Sequence, residues 1–245
     1  MSSFKASLKN EILLMLYRRK TVGFLGFAAL LPILLAVPLM HMKTVIGLSI
    51  VNSAFPIQML SISTAAIVPL FLLLGAADLF PGETSARTLK LALLRPVTRF
   101  KVFLAKTAAL CCGAAGILLV SGVVTSLLGL LYGTAGAPGD TLKAYFAALI
   151  PMIALGTAFV LIAQVFKSAS GSLVFSLLLY IVFKAAPLVF PSFSAFSFAS
   201  YTDWHILWLN PAVSAGKLLN VFLVLASSAA LFFSVGYLMF DKREV

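Results

Sequence analysis

The groups in this chain that could do chemistry are few and unevenly placed. Asp78 to Lys106 carries Arg87, Lys90, Arg95, Arg99, Lys101 and Lys106 against Asp78 and Glu83, and it is the one long charged passage between apolar blocks. Its chemistry is electrostatic, since basic side chains beside apolar segments hold their end of the chain on the cytoplasmic face. Lys184 stands alone in the outer half of an apolar run. A charge in hydrocarbon costs a few kcal/mol unless solvated or paired, so Lys184 either reaches water past Pro187 or meets an anionic lipid or the acidic part of a substrate. His41 and His205 are far apart, and the adjacent Cys111 and Cys112 have no Cys or His companion at metal spacing. These cysteines are expected to be packing residues, with no metal site. No G-x-x-x-x-G-K-[ST], H-E-x-x-H or G-x-S-x-G sequence occurs, and no carboxylate pair falls at helical spacing inside an apolar run. The expectation is therefore that the chain is not an enzyme, binds no cofactor, and draws any energy from another polypeptide.

The elements that must hold these groups are membrane helices. Hydrophobic residues make up 62% and charged residues 10% of the 245-residue chain, and a mean hydropathy of +1.10 excludes a soluble globular domain. The net charge of +11 does not imply nucleic acid, because the bases sit at the ends of apolar runs and form no soluble basic face. Six spans are predicted, near 21–40, 53–77, 99–131, 142–166, from about 171, and 212–240. Residues 1–20 place Phe4, Leu8, Ile12 and Met15 on one face, an amphipathic helix lying in the interface with its bases toward headgroups. Too long an apolar run and no small-x-small pattern argue against a cleaved leader. Pro56 and Pro69 are expected to interrupt the second span, and Pro81-Gly82 to break it so that the chain turns along the membrane face. Cys112, Gly113, Gly116 and the Gly129-x-x-x-Gly133 pair are expected to serve helix packing.

Sidedness follows from the bases. The N-terminal helix, residues 78–106, Lys167 and the tail hold fourteen bases and five acids, whereas the other segments hold four and two. Both termini are thus expected in the cytoplasm. Residues 187–211 form an external stretch too apolar for a solvated loop. There Phe193, Phe196, Phe198, Tyr201, Trp204 and Trp208 suit the outer headgroup belt. Asp78, beside Pro81, is expected at a helix end.

Within the charged passage, Ala86, Leu89, Ala92 and Leu93 share a helical face, with Thr84 or Ser85 available as cap and Pro96 as stop. An apolar stripe outside the bilayer needs a partner. The ordered residues Glu83, Thr88-Leu89, Leu91 to Leu94, Arg95-Pro96-Val97-Thr98-Arg99 and Lys106 resemble the first cytoplasmic loop of ABC-2 type transporter permeases. The resemblance is tight over about thirty residues and looser in the six-span layout and basic tail. It implies an all-α membrane protein: one six-span domain over 21–245, a cytoplasmic coupling helix near Thr84 to Leu94 within the 78–106 loop, and re-entrant helices before the last span, in an external gate segment 187–211.

It further implies that Glu83, Arg87, Thr88, Leu89, Leu93, Arg95 and Arg99 serve coupling to two cytosolic ATP-binding subunits, which carry the ATP and Mg. A second permease copy or a related permease would complete the complex in a bacterial cell membrane. Lys184, Phe193, Phe196, Tyr201, Trp204 and Trp208 are the candidate substrate-contact or outer-gate residues. Scarce intramembrane charge favours a hydrophobic or amphipathic cargo, such as a peptide antibiotic, a drug or a lipid, and the resemblance implies export. A secondary transporter would need acids near the midplane, where none is evident. A lipid enzyme would need a catalytic constellation, and an ATPase-independent membrane or immunity protein would not need the ordered loop.

Overall fold

The computed structural model describes residues 2–45, 54–85, 98–189 and 197–242, and every regular element among them is helical. Hydrocarbon leaves little choice, because only a helix satisfies its own backbone within one segment. α1 (Ser2–Leu16) leads through a tight turn into α2 (Arg19–Val45). α3 (Phe55–Ser85), α4 (Arg99–Leu131), α5 (Pro138–Val165) and α6 (Ala169–Val189) follow. A 3-10 turn (Phe198–Asp203) enters the short α7 (Trp204–Leu209), and α8 (Ala215–Asp241) closes the order. α2, α3, α4, α5, α6 and α8 are the six helices long and apolar enough to cross a membrane. α3 and α5 are 61% and 67% buried over their most apolar stretch while α6 and α8 are 11% buried, so α3 and α5 form the axis and α6 and α8 lie at the periphery.

α3 departs from the expected interruptions. Pro56 sits in its first turn, where a missing N–H costs nothing. Pro69 follows a π turn, Ser63–Ile67. Its ring removes the donor that the Ala65 carbonyl, four residues back, would have used. Tyr180 of α6 restores one: its hydroxyl donates to the Ala65 carbonyl at 2.7 Å. Pro81 and Gly82 do not break the helix, contrary to expectation. They belong to a second π turn, Asp78–Gly82, which continues into Glu83–Ser85. The wider turn moves the Ala77 carbonyl away from the proline and toward Gly82, where a Cβ would lie 3.2 Å from that oxygen. Thr84 and Ser85 are not caps either. Thr84 Oγ1 donates back to the Phe80 carbonyl at 2.8 Å, and Ser85 Oγ lies 2.9 Å from the Pro81 carbonyl.

The glycines divide by role. Gly113 permits close approach, since a Cβ there would lie 2.6 Å from Met15 Cε and 2.7 Å from Phe71 Cζ. The absent side chain is what lets α1 and α3 meet α4. Gly116 meets nothing within 4 Å and Cys112 is exposed, so neither serves packing inside the chain. Gly133, expected to pack helices, instead ends α4 with φ +66°. The Thr134 N–H donates to the Gly129 carbonyl at 2.7 Å and the Gly133 N–H to Leu130 at 3.3 Å, a Schellman stop that needs the left-handed residue glycine supplies. The turn that follows then closes on α3 through Phe55 N–H to the Thr134 carbonyl, 3.1 Å.

Candidate functional site: two polar clusters on one helix

α3 carries a polar cluster near each end. At the end shared by α1, α4 and the α5–α6 turn, Glu83 projects from the last helical turn of α3. Lys106, one residue beyond the second turn of α4, reaches it with Nζ 2.7 Å from Oε2. The same ammonium meets Glu11 of α1 at 3.3 Å, and Arg18, between α1 and α2, meets the other Glu83 oxygen at 2.9 Å. The Lys106 side chain is 1% exposed and those of Glu11 and Glu83 are 10% and 16% exposed. Desolvated charges of this kind persist only when paired, and here two bases face two acids. One turn away, Lys20 Nζ lies 2.9 Å from both Asp78 oxygens; Asp78 is an ion-pair partner inside α3 and not at the helix end that was expected, because the helix runs on to Ser85. Ser85 Oγ lies 3.1 Å from the Lys167 carbonyl in the α5–α6 turn. Arg99, in the first turn of α4, donates to the Asp241 carbonyl of α8 at 2.6 Å.

An aromatic layer supports these charges from below. Phe103 is fully buried, with Phe80, Phe233, Tyr237 and Phe240 rings at 5.7, 5.1, 5.9 and 5.5 Å. α3, α4 and α8 are thus fixed to one another immediately beside the cluster. α1 does not lie free on the membrane face, because Glu11 and Met15 turn inward while Leu13, Leu14, Leu16 and Tyr17 remain exposed.

Of the residues expected to serve coupling, Glu83 and Arg99 are brought to this end. Arg87, Thr88, Leu89, Leu93 and Arg95 lie outside the described residues. Glu11 and Arg18 were missed by sequence reasoning. The signal was available, since Glu11 is the only acid before Asp78 and sits in an otherwise basic segment.

The second cluster joins α7 and its 3-10 turn to α3 and α6. Lys184 Nζ donates to Thr202 Oγ1 and lies 3.1 Å from Asp203 Oδ2. Asp203, not named in advance, is the only acid between Asp140 and Asp241, and it gives Lys184 a partner within the chain. His205 is 0% exposed, with Nε2 3.1 Å from Ser61 Oγ of α3. Burial lowers its pKa to about 4, against the opposing pull of Asp203 and the Thr202 backbone, so the ring is neutral near pH 7. Tyr201 is partly buried, and desolvation raises its hydroxyl above the ordinary tyrosine range.

Trp204 does not join the expected headgroup belt. It is 1% exposed and packs among Ala147, Ala154, Val221 and Leu225, because α7 folds back between α5 and α8. Trp208 is 45% exposed, its ring 5.6 Å from that of Trp204. Phe193 and Phe196 lie outside the described residues.

Among the described residues no group of three His, Cys, Asp or Glu could hold a metal ion. What the arrangement offers is mechanical: charge and hydrogen-bond contacts that tie one long helix to its neighbours at two levels. Comparison with curated proteins finds none that matches the chain. The family described as ABC-2 family transporter protein matches residues 8–186, from the helix that carries Glu11 to two residues past Lys184. A match over that length, on six membrane-length helices, places the chain in the ABC-2 family of transporter membrane proteins.

Proposed function

We propose that the chain is the membrane-spanning subunit of an ATP-driven exporter of a hydrophobic or amphipathic compound. It works as a pair, with itself or a related permease, on two cytosolic ATP-binding subunits that carry the ATP and Mg. The end holding Glu83 and Lys106 faces the cytoplasm of a bacterial cell, and both termini lie there. The observation that carries this reading is the anchoring of Glu83. Family membership implies association with ABC ATPases in general. Glu83 lies in the last described turn of α3, next to the 84–94 segment in sequence, and two bases and the α1 carboxylate hold that point against α4. A push delivered to the segment reaches α3 and α4 together, because the connection is ionic, desolvated and backed by the Phe103 layer.

In this account Leu89 and Leu93 fill a groove on the ATPase, Arg87 and Thr88 orient the segment, and Arg95 and Arg99 anchor its far side. Lys184, Phe193, Phe196, Tyr201, Trp204 and Trp208 belong to an outer gate. Its described part is held shut by Lys184 with Thr202 and Asp203, and by His205 with Ser61.

Co-purification of a cytosolic ABC ATPase co-expressed with this chain tests the reading. Leu89→Asp or Leu93→Asp is expected to abolish it while membrane insertion and yield persist. Full co-purification by both variants would overturn the coupling role, and cargo movement in vesicles without any ATPase would overturn the energy source. For the gate, Lys184→Met is expected to raise basal leak of cargo, and unchanged leak and turnover would remove Lys184 from it.

A further inference from the structure

Two apolar clefts flank the end of α5 at which α7 sits. The larger, of about 400 Å³, runs between α4 and α5 and is walled by Leu118, Val123, Leu127, Leu130 and Leu142. The second, of about 330 Å³, is walled by Leu142, Phe146, Ile150 and Trp208. Leu142 is the partition common to both. Each volume is within the range of small-ligand sites, and each is open to the surface of the chain.

The residue after the partition is Lys143, which lines the second cleft and is the only base lining either among the described residues. Its side chain is 65% exposed. Its described partner, Asp140, is 54% exposed and 3.5 Å away in an i,i+3 relation. A pair of that kind is worth little and gives way to a better anion. Trp208, half exposed on the opposite wall, has the amphipathic ring that settles at headgroup level. One rim thus combines an available ammonium, an interfacial indole and two neighbouring hydrocarbon slots separated by a single leucine.

We propose that this rim binds a two-chain anionic phospholipid, its phosphate on Lys143 and its acyl chains in the clefts on either side of Leu142. A lone acyl chain would leave one slot empty, and a zwitterionic lipid would bring its own cation to Lys143. The site does not depend on the exporter reading, because it needs only these side chains and a bilayer.

The test is native mass spectrometry of the purified, delipidated full chain titrated with phosphatidylglycerol or with phosphatidylcholine of the same acyl chains. One lysine near an anionic headgroup corresponds to about a fivefold preference, so the first phosphatidylglycerol should bind at about fivefold lower concentration. Lys143→Gln should erase the preference and leave phosphatidylcholine binding unchanged, whereas Asp140→Asn should increase it. Lys217→Gln, an exposed base at the start of α8 that lines neither cleft, should have no effect. Val123→Trp, which fills the larger cleft, should weaken both lipids. Equal binding of the two lipids by the natural chain, or a preference that survives Lys143→Gln, would overturn the proposal. A Lys143→Gln protein that did not stay folded would leave the decision to Asp140→Asn, where an unchanged or reduced preference counts against the site.

Discussion

The two ends of α3 are secured by different physics. At the Glu83 end the fastening is ionic and nearly dry: Lys106 is 1% exposed between two carboxylates, and Arg18 completes the charge balance. At the Ser61 end a neutral hydroxyl meets a neutral imidazole, and the ion pair of that region, Lys184 with Asp203, is 32% and 38% exposed and does not involve α3. A desolvated ionic contact loses several kcal/mol when one partner is removed, because the remaining charge stays buried. A neutral hydrogen bond loses about 1 kcal/mol. The contrast suits a helix driven from one end and released at the other.

The largest effect is expected from Lys106→Met, which takes the buried ammonium from Glu11 and from one Glu83 oxygen and leaves Arg18 on the other. Loss of a buried partner costs about 3 to 5 kcal/mol. Thermal unfolding in detergent should show a drop of that order, and adding Glu11→Gln should recover part of it. Equal melting of Lys106→Met and the natural chain would erase the distinction between the two ends.

Acid should attack the other end. His205 titrates near 6.5 when unfolded and near 4 when folded, so between these values the unfolded chain binds more protons than the native one. Stability from this residue is therefore intact above about pH 6.5 and is lost as pH falls toward 4, by on the order of 3 kcal/mol at full extent. Melting temperature against pH should fall over that window, and His205→Gln should flatten the fall. An unchanged slope would mean that the ring is solvated and that α7 is not seated on Ser61.

How much of this was legible in the sequence depends on distance along the chain. Arg99–Leu131 could be read to the residue because Pro96 stands just before its start and its apolar run is unbroken beyond Lys106. Six spans and the basic bias of one end are likewise local properties of composition. The partners of Lys106 and Lys184 were not legible, since Lys106 and Glu11 are 95 residues apart and Lys184 and Asp203 are 19 apart across a turn. Pro81-Gly82 misled for a related reason. Proline forbids an ordinary α turn, but the wider π turn that accommodates it leaves no mark in the sequence. Trp204 misled because a tryptophan near an external boundary fits the headgroup belt and a folded-back core equally well. Only the packing of α7 against α5 and α8 decides between them.

The middle of α3 offers a finer cut between the ends. Tyr180→Phe removes the donor that serves the Ala65 carbonyl left open by Pro69. A cost of about 1 to 2 kcal/mol is expected in hydrocarbon. Pro69→Ala restores an N–H at the right position, so it should make Tyr180→Phe nearly harmless, and a double-mutant cycle on the two would measure the coupling. Additive losses would mean that the hydroxyl serves something other than the proline gap.

The smallest effect should come from Lys20→Gln, although Lys20 meets both Asp78 oxygens at 2.9 Å, a shorter contact than the 3.3 Å between Lys106 and Glu11. Distance does not decide here; solvent does. Lys20 is 59% exposed, so its ammonium keeps most of its hydration whether or not Asp78 is present, and the pair is worth about 0.2 to 1 kcal/mol. Raising salt should shrink even that, while leaving the Lys106→Met loss almost unchanged, because mobile ions do not reach a side chain that water does not reach. Melting curves of both variants at low and high salt therefore separate the two kinds of contact within a single end of the molecule. A Lys20→Gln loss as large and as salt-resistant as that of Lys106→Met would show that exposure is the wrong variable, and that the ionic fastening extends along the whole of the Asp78 to Glu83 turn.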